Sequence, residues 1–519
     1  MQVETLEKKA RPRRRLMLAI AWALALGGHA TAQTFPASVS LGTLNGSNGF
    51  RLDGPAAARA GRSVSAAGDI NGDGFGDLIV GAIDSSYVVF GKGKQLPPSF
   101  ALSSLNGSNG FRLDGGDNSG HSVSAAGDVN GDHFGDLIVG ASFADPNGTD
   151  SGSSYVVFGK RAPFPASLTL TSLDGTNGFR LNGVALGDRA GVSVSAAGDV
   201  NGDNLGDLIV GAFRAASNGI DSGSSYVVFG KTMPFAASLA LSSLNGANGF
   251  RLDGISGDLS GLSVSTAGDI NGDKLGDLII GAPNANPYGL NTGGAGSSYV
   301  VFGRRTPFTA SFGLSSLNGN NGFRLDGAAV SDLSGYSASA AGDINGDSID
   351  DLMIGAIGAA PHGTFSGSGC VVFGKNSPFT TTISMTSLNG ANGFCLEGVA
   401  ANNNAGASVS AAGDVNGDGL SDLIIGAPGA SPNGSNSGSS YVVFGTRAPF
   451  PARLALSALN GSNGFRLDGV VANSASGFTV GSAGDFNNDG FGDLIVGTAN
   501  ACCSYVVFGR NPNAREVVE

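Results

Sequence analysis

The chain has 519 residues, a formal net charge of −12, and only four cysteines, four histidines and one tryptophan. An acidic surface repels the phosphate backbone, so nucleic acid is not an expected partner. Histidine is also too scarce and too scattered to indicate a catalytic centre.

The first 32 residues have the composition of a signal peptide. A basic stretch ends at Arg15, an apolar core follows over residues 16–26, and small residues at 30–32 end the segment. That order is typical of a secretory signal, and so short an apolar core does not comfortably span a bilayer. We expect cleavage before Gln33, no membrane span in the mature chain, and a secreted, periplasmic or cell-surface location. An uncleaved anchor is the alternative.

From residue 37 to residue 510 the chain repeats a unit of about 70 residues seven times. Each unit contains four short segments with strand character; in the third unit they are residues 192–198, 207–211, 225–230 and 250–253. Four short strands with glycine-rich turns, repeated seven times, predict an all-β fold, a seven-bladed β-propeller of four-stranded antiparallel blades. Residues 511–519 then form a short carboxy-terminal tail.

The two ends of the repeat array predict how the ring closes. A Phe-Arg-Leu-Asp segment at residues 50–53 precedes the first complete unit, whereas the last unit ends at Gly509 without such a segment. We expect the amino-terminal strand to complete the last blade, which leaves no unpaired edge at the junction.

One pattern of oxygen-bearing residues, D-x-N-x-D-x-x-x-D, recurs in every unit, and successive copies start 59, 71, 70, 74, 71 and 71 residues apart. Carboxylate, amide and carbonyl oxygens in a flexible loop suit Ca²⁺, and the thiolate or imidazole ligands that favour zinc or copper are missing from the pattern. Glycine at the fourth position, as in Gly72, Gly131 and Gly202, permits the sharp turn that such a loop needs. We therefore predict about seven bound calcium ions.

The predicted ligands are the side chains at positions 1, 3, 5 and 9 of each loop and the backbone carbonyl at position 7. They are Asp69, Asn71, Asp73, Phe75, Asp77, Asp128, Asn130, Asp132, Phe134, Asp136, Asp199, Asn201, Asp203, Leu205, Asp207, Asp269, Asn271, Asp273, Leu275, Asp277, Asp343, Asn345, Asp347, Ile349, Asp351, Asp414, Asn416, Asp418, Leu420, Asp422, Asp485, Asn487, Asp489, Phe491 and Asp493. An EF-hand would need Glu at position 12, where the first copy has Val80. For any single copy, a metal-free Asn-Gly-Asp turn is the alternative.

In its repeats and motifs the chain resembles the FG-GAP repeat family, the propeller family of the integrin α-chain head. The Phe-Gly and Gly-Ala-Pro signatures stand at residues 302–303 and 281–283, and the resemblance to this head module spans residues 37–510. It implies calcium loops between the first two strands of several blades, and an extracellular protein or glycan ligand on the opposite face. This chain departs from the family in carrying a loop in all seven units.

The fifth unit differs from the others in two neighbouring predicted strands. Cys370 replaces the usual tyrosine and Cys395 replaces the usual arginine. Their joint change predicts a contact, and in an exported protein a cross-strand disulfide is favoured over two buried thiols. Cys502 and Cys503 are adjacent, and several states fit them: a strained ring, an intermolecular link or two small apolar residues.

These features predict a calcium-binding adhesion or recognition module rather than an enzyme. A serine-rich tract at residues 150–154 superficially suggests a nucleophile, but it recurs at residues 221–225 without a matching histidine or lysine, which favours a turn. One alternative is an extracellular hydrolase of glycans or lipids with carboxylates in the central channel, for which Asp350 is a candidate. Another is a structural surface repeat protein without a specific ligand.

Overall fold

Strand formation follows the repeated sequence closely. Segments such as Asp-Leu-Ile-Val-Gly-Ala and Ser-Ser-Tyr-Val-Val contain β-branched and aromatic residues, which favour extended backbone, and both segments are buried throughout. The computed structural model describes residues 35–510 except 56–57, 94–95, 233, 290–292 and 502. The predicted signal peptide, the tail and Cys502 lie outside the described residues.

In chain order the strands of the described part are β1 (Ser38–Ser40), β2 (Gly49–Asp53), β3 (Ser63–Gly68), β4 (Asp77–Ala82), β5 (Ser85–Val89), β6 (Ser99–Ala101), β7 (Gly110–Asp114), β8 (Ser122–Gly127), β9 (Asp136–Ala141), β10 (Ser153–Val157), β11 (Ser167–Thr169), β12 (Gly178–Asn182), β13 (Ser193–Gly198), β14 (Asp207–Ala212), β15 (Ser224–Val228), β16 (Ser238–Ala240), β17 (Gly249–Asp253), β18 (Ser263–Gly268), β19 (Asp277–Ala282), β20 (Ser297–Val301), β21 (Ser311–Gly313), β22 (Gly322–Asp326), β23 (Ser334–Gly342), β24 (Asp351–Ala356), β25 (Ser368–Val372), β26 (Thr382–Ser384), β27 (Gly393–Glu397), β28 (Ser408–Gly413), β29 (Asp422–Ala427), β30 (Ser439–Val443), β31 (Arg453–Ala455), β32 (Gly464–Asp468), β33 (Ser476–Gly484), β34 (Asp493–Thr498) and β35 (Cys503–Val507). Short 3-10 helices are Leu41–Thr43, Leu102–Ser104, Leu170–Ser172, Leu241–Ser243, Leu314–Ser316, Met385–Ser387 and Leu456–Ala458. In the part of the chain that the structure describes, no helix is long and apolar enough to cross a bilayer.

The strands form seven five-stranded sheets, which are the blades of a propeller. From the innermost strand outward, blades one to seven are β3-β4-β5-β7-β11, β8-β9-β10-β12-β16, β13-β14-β15-β17-β21, β18-β19-β20-β22-β26, β23-β24-β25-β27-β31, β28-β29-β30-β32-β1 and β33-β34-β35-β2-β6. Innermost strands of successive blades contact one another around the ring, and β33 contacts β3. The predicted all-β, seven-bladed propeller is confirmed.

Each blade has one more strand than the sequence predicted. The fifth strand has three residues and pairs parallel with the fourth, as β6 does with β2. In six blades it comes from the connection between the third and fourth strands of the following blade, and in blade six it is β1, which precedes the fourth strand of blade seven. Each blade therefore covers the outer edge of its predecessor. The prediction of four strands was wrong because three extended residues before a 3-10 helix have no alternating pattern to recognise.

The amino-terminal segment contributes to two blades at the end of the ring. β1 is the outermost strand of blade six, and β2 pairs antiparallel with β35 in blade seven, with Phe50 opposite Val506. The third strand of the last blade is therefore paired with backbone from the start of the described chain.

The hydrophobic core lies between blades rather than within them. One buried cluster joins Ile79 and Phe111 of blade one with Leu137 and Tyr155 of blade two, and six comparable clusters complete the ring. Stacked phenylalanines recur in these clusters; the rings of Phe111 and Phe164 have centroids 4.6 Å apart. Because each cluster draws on two neighbours, a single blade has no complete core of its own.

Hydroxyl groups link the innermost strands of adjacent blades. Val123 N–H donates to Ser63 Oγ at 3.0 Å, and Val194 N–H donates to Ser122 Oγ at 3.0 Å. The same bond recurs at three further boundaries. At the remaining two, the hydroxyls of Ser337 and Thr479 donate to a backbone carbonyl of the next blade. Small polar residues on the innermost strand therefore hold the ring together near the channel.

Cys370 and Cys395 form a disulfide between β25 and β27 in blade five. They lie directly opposite each other in the ladder. In the other six blades this register position holds a tyrosine on the third strand and an arginine on the fourth, in the pairs Tyr87–Arg112, Tyr155–Arg180, Tyr226–Arg251, Tyr299–Arg324, Tyr441–Arg466 and Tyr505–Arg51. Blade five thus replaces a large polar pair with a small covalent one.

We expect Cys370→Ser to lower the free energy of unfolding by about 3 kcal/mol, because the disulfide closes a loop and restricts the unfolded chain. Chemical denaturation of the non-reduced protein measures this difference. Cys395→Ser should have the same effect, and the double variant should be no less stable than either single one. Full alkylation of both thiols in the native, non-reduced protein would contradict the bond.

Candidate metal centres

All seven candidate loops connect the first and second strands of a blade, so they lie on one face of the ring, here called the loop face. In blade one, β3 ends at Gly68, the loop begins at Asp69, and its ninth residue, Asp77, opens β4. A bulge between Ala66 and Gly68 interrupts the ladder just before the loop, and the same irregularity occurs in every blade. Such bulges re-aim the end of a strand, which gives every loop the same exit from the sheet.

The first aspartate organises each loop through its carboxylate. Asp69 accepts hydrogen bonds from the N–H groups of Gly72, Asp73 and Gly74 at 2.8, 3.1 and 2.9 Å. The bonds from the fifth and sixth residues occur in the other six loops as well. In Asp69, Oδ1 accepts the first two of the three bonds and Oδ2 accepts only the third, so Oδ2 keeps a lone pair for a cation.

In four loops the side chain at the third position contacts the side chain at the fifth. Asn130 Nδ2 lies 3.0 Å from Asp132 Oδ2, and three other loops have the same contact. In two of the remaining loops, Asn71 Oδ1 and Asn416 Oδ1 are buried and accept no hydrogen bond. A buried amide oxygen without a partner is costly, so these atoms are suited to bind a further group.

The ninth residue is fully buried and ties the loop to the third strand. Asp77 Oδ2 accepts from Ile70 N–H at 3.0 Å, and Asp77 Oδ1 accepts from Gly91 N–H at 2.8 Å. Gly91 belongs to the Phe-Gly pair after the third strand, and every blade repeats its bond. A methyl group on Gly91 would overlap the carbonyl oxygen of Gly76. Close backbone approach therefore explains the glycine of this signature.

The buried aspartates have strongly perturbed acidity. Burial raises the pKa of Asp77 to about 7 against two opposing N–H bonds, and the carboxylates of Asp73 and Asp69 add to the rise. The pKa is raised to about 7 at Asp136, Asp207 and Asp493, and to about 8 at Asp277, Asp351 and Asp422. A cation bound among the three carboxylates of a loop would favour their charged forms.

In five loops the side chain of the seventh residue packs against the preceding loop. The sequence predicted only that its backbone carbonyl would bind the ion. The ring of Phe134 covers Gly72 of the preceding loop, where any Cβ would collide with the ring. Leu205, Leu275, Leu420 and Phe491 lie against the equivalent glycine in the same way. The apolar character of this position in all seven copies was the available signal, and its meaning appears only when neighbouring loops are side by side.

Neighbouring loops are also joined by backbone bonds. The carbonyl of Asp69 accepts from Gly135 N–H at 3.1 Å, which connects position 1 of one loop to position 8 of the next, and six boundaries have this bond. At the other boundary Asp350 replaces the glycine, and its Oδ2 accepts from Asp269 N–H at 2.9 Å. Asp350, a candidate channel acid in the sequence, is instead part of a loop-to-loop contact.

Whether these loops suit a cation depends on which donor atoms they offer and on how closely those atoms approach one another. Among the described residues, no three Asp, Glu, His or Cys side chains are grouped closely enough to hold a metal by themselves. Each loop nevertheless offers three carboxylates and one amide within nine residues, and in four loops the third and fifth side chains already converge. With amide and backbone oxygens included, the donor chemistry fits a hard cation such as Ca²⁺.

We expect Gly91→Ala to destabilise the protein by about 1–3 kcal/mol, because the new methyl group overlaps the loop backbone and displaces the N–H that Asp77 accepts. Gly93→Ala is the matched control, since the nearest neighbour of its Cβ would be the ring of Phe75 at 3.8 Å. Thermal unfolding compares the two variants with the parent. Equal stability of both would mean that the Phe-Gly contact is dispensable.

Four segments of the chain match a known protein family. The family model described as FG-GAP repeat matches residues 60–89, 119–157, 260–301 and 405–443, the first three strands of blades one, two, four and six. Among solved structures, a crystal structure of BBS1N in complex with ARL6DN aligns with a TM-score of 0.40 and 9% identity, covering 90% of this chain and 100% of that one. That similarity is too low to bear on function.

Curated relatives include integrin α chains. Integrin alpha-PS5 of Drosophila melanogaster is 32% identical over 186 residues, 34% of this chain and 16% of the relative. Integrin alpha pat-2 of Caenorhabditis elegans is 29% identical over 201 residues, 36% and 16% of the two chains. Phosphatidylinositol-glycan-specific phospholipase D of Bos taurus is 30% identical over 182 residues, 33% and 19% of the two chains. The alignments thus span less than a fifth of these relatives. Together with the seven-bladed ring, the matched repeats support an integrin α-like FG-GAP propeller.

Proposed function

We propose that this chain is a calcium-stabilised recognition module that acts outside the cell and binds a protein through the face opposite the loops. The arrangement of the seven loops supports the calcium part of the proposal. The distribution of exposed apolar side chains supports the ligand face, and it is the observation that carries the functional conclusion.

Seven loops with the same oxygen donors are linked to one another around the loop face. In blade one the ion would be held by Asp69, Asn71, Asp73 and Asp77 and by the backbone carbonyl of Phe75, and elsewhere by the corresponding residues. By neutralising three neighbouring carboxylates, the ion would stabilise its own hairpin. Through the bonds between loops, it would also stabilise the ring.

Exposed large apolar side chains are concentrated on the opposite face. Those among the described residues all lie in, or directly after, the connections at that end of the blades: Leu186, Ile220, Ile255, Tyr288, Val330, Tyr336, Phe365, Val470 and Val471. Ile220 is 80% exposed and Leu186 is 72% exposed. Apolar side chains gathered on one face are typical of a protein-binding surface, and loops on a rigid scaffold suit recognition.

The relatives named phospholipase D favour a hydrolase as the second candidate function. A channel-based site would need carboxylates in the channel. The cavity of about 290 Å³ in the channel is lined by valine, serine, alanine and glycine of the innermost strands, with no charged side chain among its described lining residues. The channel therefore gives this candidate no support, and assays with glycan and phospholipid substrates would test it directly.

Calcium should raise the unfolding temperature of the full chain, and metal analysis after dialysis should find about seven ions per chain. At a calcium concentration 100 times the dissociation constant, each site adds about 2.7 kcal/mol to the free energy of unfolding. Thermal unfolding in calcium and then in chelator measures the effect. A protein indifferent to chelator and free of bound metal would show that the loops are only turns.

Asp203→Asn tests a single loop, because it removes one carboxylate at position 5 of the third loop. We expect one fewer bound ion and a smaller stabilisation by calcium. Asp145→Asn is the matched control, since Asp145 is an exposed aspartate outside the loops. An unchanged ion count in Asp203→Asn would contradict the assignment of that loop.

The ligand face can be tested with peptides selected from a display library against the full chain in calcium. Leu186→Glu and Ile220→Glu should each weaken a selected peptide at least about tenfold, because a charge replaces an apolar contact. Ala247→Glu, at an exposed position on the loop face, is the control and should bind normally. The assignment fails if peptides bind both opposite-face variants normally and lose affinity only for Ala247→Glu.

A further inference from the structure

Blade five contains a cavity at the place where its disulfide replaces the tyrosine–arginine pair of the other blades. The cavity has a volume of about 430 Å³, within the range of small-molecule sites. Its walls include the disulfide residue Cys370 and the apolar side chains of Val330, Ile354 and Met385. Its polar lining includes Asp332, Glu397 and Arg453.

Blade four shows what fills the equivalent space elsewhere. Tyr299 is 1% exposed, and its hydroxyl donates to Asp258 Oδ2 at 3.2 Å. Asp258 stands in the segment Asp-Leu-Ser-Gly before the innermost strand, and Asp332 occupies the same segment in blade five. Because Cys370 stands where Tyr299 stands in blade four, Asp332 has lost the phenol that its counterpart binds.

Asp332 remains a buried acceptor that faces this cavity. It is 9% exposed, and its Oδ2 accepts from Ala329 N–H at 2.8 Å. No side-chain donor contacts Asp332 among the described residues. A buried carboxylate with only backbone donors has lone pairs available for a hydroxyl that enters the cavity.

The charged groups around the cavity differ from those at the equivalent places in the other six blades. Arg453 lies opposite Cys395 in the β27–β31 ladder, at a position that holds serine or threonine in the other six blades. The cation missing from the fourth strand is therefore found one strand further out, where it lines the cavity. Glu397 replaces the usual aspartate or asparagine, and its Oε2 lies 3.2 Å from His362 Nε2.

We propose that this cavity binds a small phenol, whose ring occupies the apolar space and whose hydroxyl donates to Asp332. The six tyrosine-filled blades identify the chemistry, because the same scaffold buries a phenol at this place in each of them. The site is independent of the calcium loops, since the cavity lies at the opposite end of the blade. Arg453 and the Glu397–His362 pair then interact with substituents of the ring.

The probe is p-cresol, which is the tyrosine side chain as a free molecule, added to the full chain under non-reducing conditions. We expect saturable binding in calorimetry and a raised unfolding temperature. Toluene, which lacks the hydroxyl, should bind at least about tenfold more weakly, as expected for loss of a hydrogen bond to a charged acceptor. No saturable p-cresol binding, or equal binding of toluene, would overturn the proposal.

Two variants locate the site. Cys370→Tyr combined with Cys395→Arg restores the pair of the other blades and should abolish p-cresol binding. Asp332→Ala leaves the cavity open and should remove the preference for p-cresol over toluene, which keeps the test valid if the double variant fails to fold. Asp258→Ala in blade four is the matched control and should bind as the parent does. Loss of p-cresol binding in Asp258→Ala, with binding by the blade-five variants unchanged, would overturn the assignment to blade five.

Discussion

The buried carboxylate at the ninth position of each loop is the contact on which the rest of the structure depends. Its two oxygens accept N–H groups from the loop itself and from the Phe-Gly turn after the third strand, as Asp77 does with Ile70 and Gly91. One side chain thereby joins the start of the second strand to the end of the third. Because the same carboxylate is a candidate calcium ligand, folding of the blade and the proposed binding of an ion would depend on one residue.

Contacts between blades extend this local arrangement around the ring. Hydrophobic clusters, hydroxyl bonds and loop-to-loop bonds all cross blade boundaries, as Phe111, Ser63 and Asp69 illustrate. No blade can satisfy these groups alone, so each stabilises its neighbours. An ion bound in one loop, as proposed, would therefore act on the adjacent blade through the bond between position 1 and position 8.

The internal repetition also makes each blade a control for the others. Six blades place tyrosine opposite arginine, and only blade five places a disulfide there. The cavity beside Cys370 therefore lies where blade five departs from the repeat, and the replacement of tyrosine by cysteine explains it. Arg453 places a charged group beside this cavity at a position that holds serine or threonine in the other blades, and Glu397 replaces the usual aspartate or asparagine.

Much of this architecture could be predicted from the chain itself. Oxygen-bearing residues recur at fixed spacing, and the β-branched segments have strand character, so the number of blades and the place of each loop follow from local pattern. The Cys370 and Cys395 exchange indicated adjacent strands, because two positions departed from the repeat together. What local pattern cannot report is how one repeat contacts the next.

The fifth strand, the packing of Phe134 on Gly72 and the role of Asp350 all join residues from different repeats. The sequence by itself determined the repeat, four of the five strands in each blade and the donor chemistry, since these depend on residue type and spacing within one unit. Only the tertiary structure decided which groups meet between units and where a cavity remains. Such contacts arise when the ring closes and brings together residues that are distant along the chain.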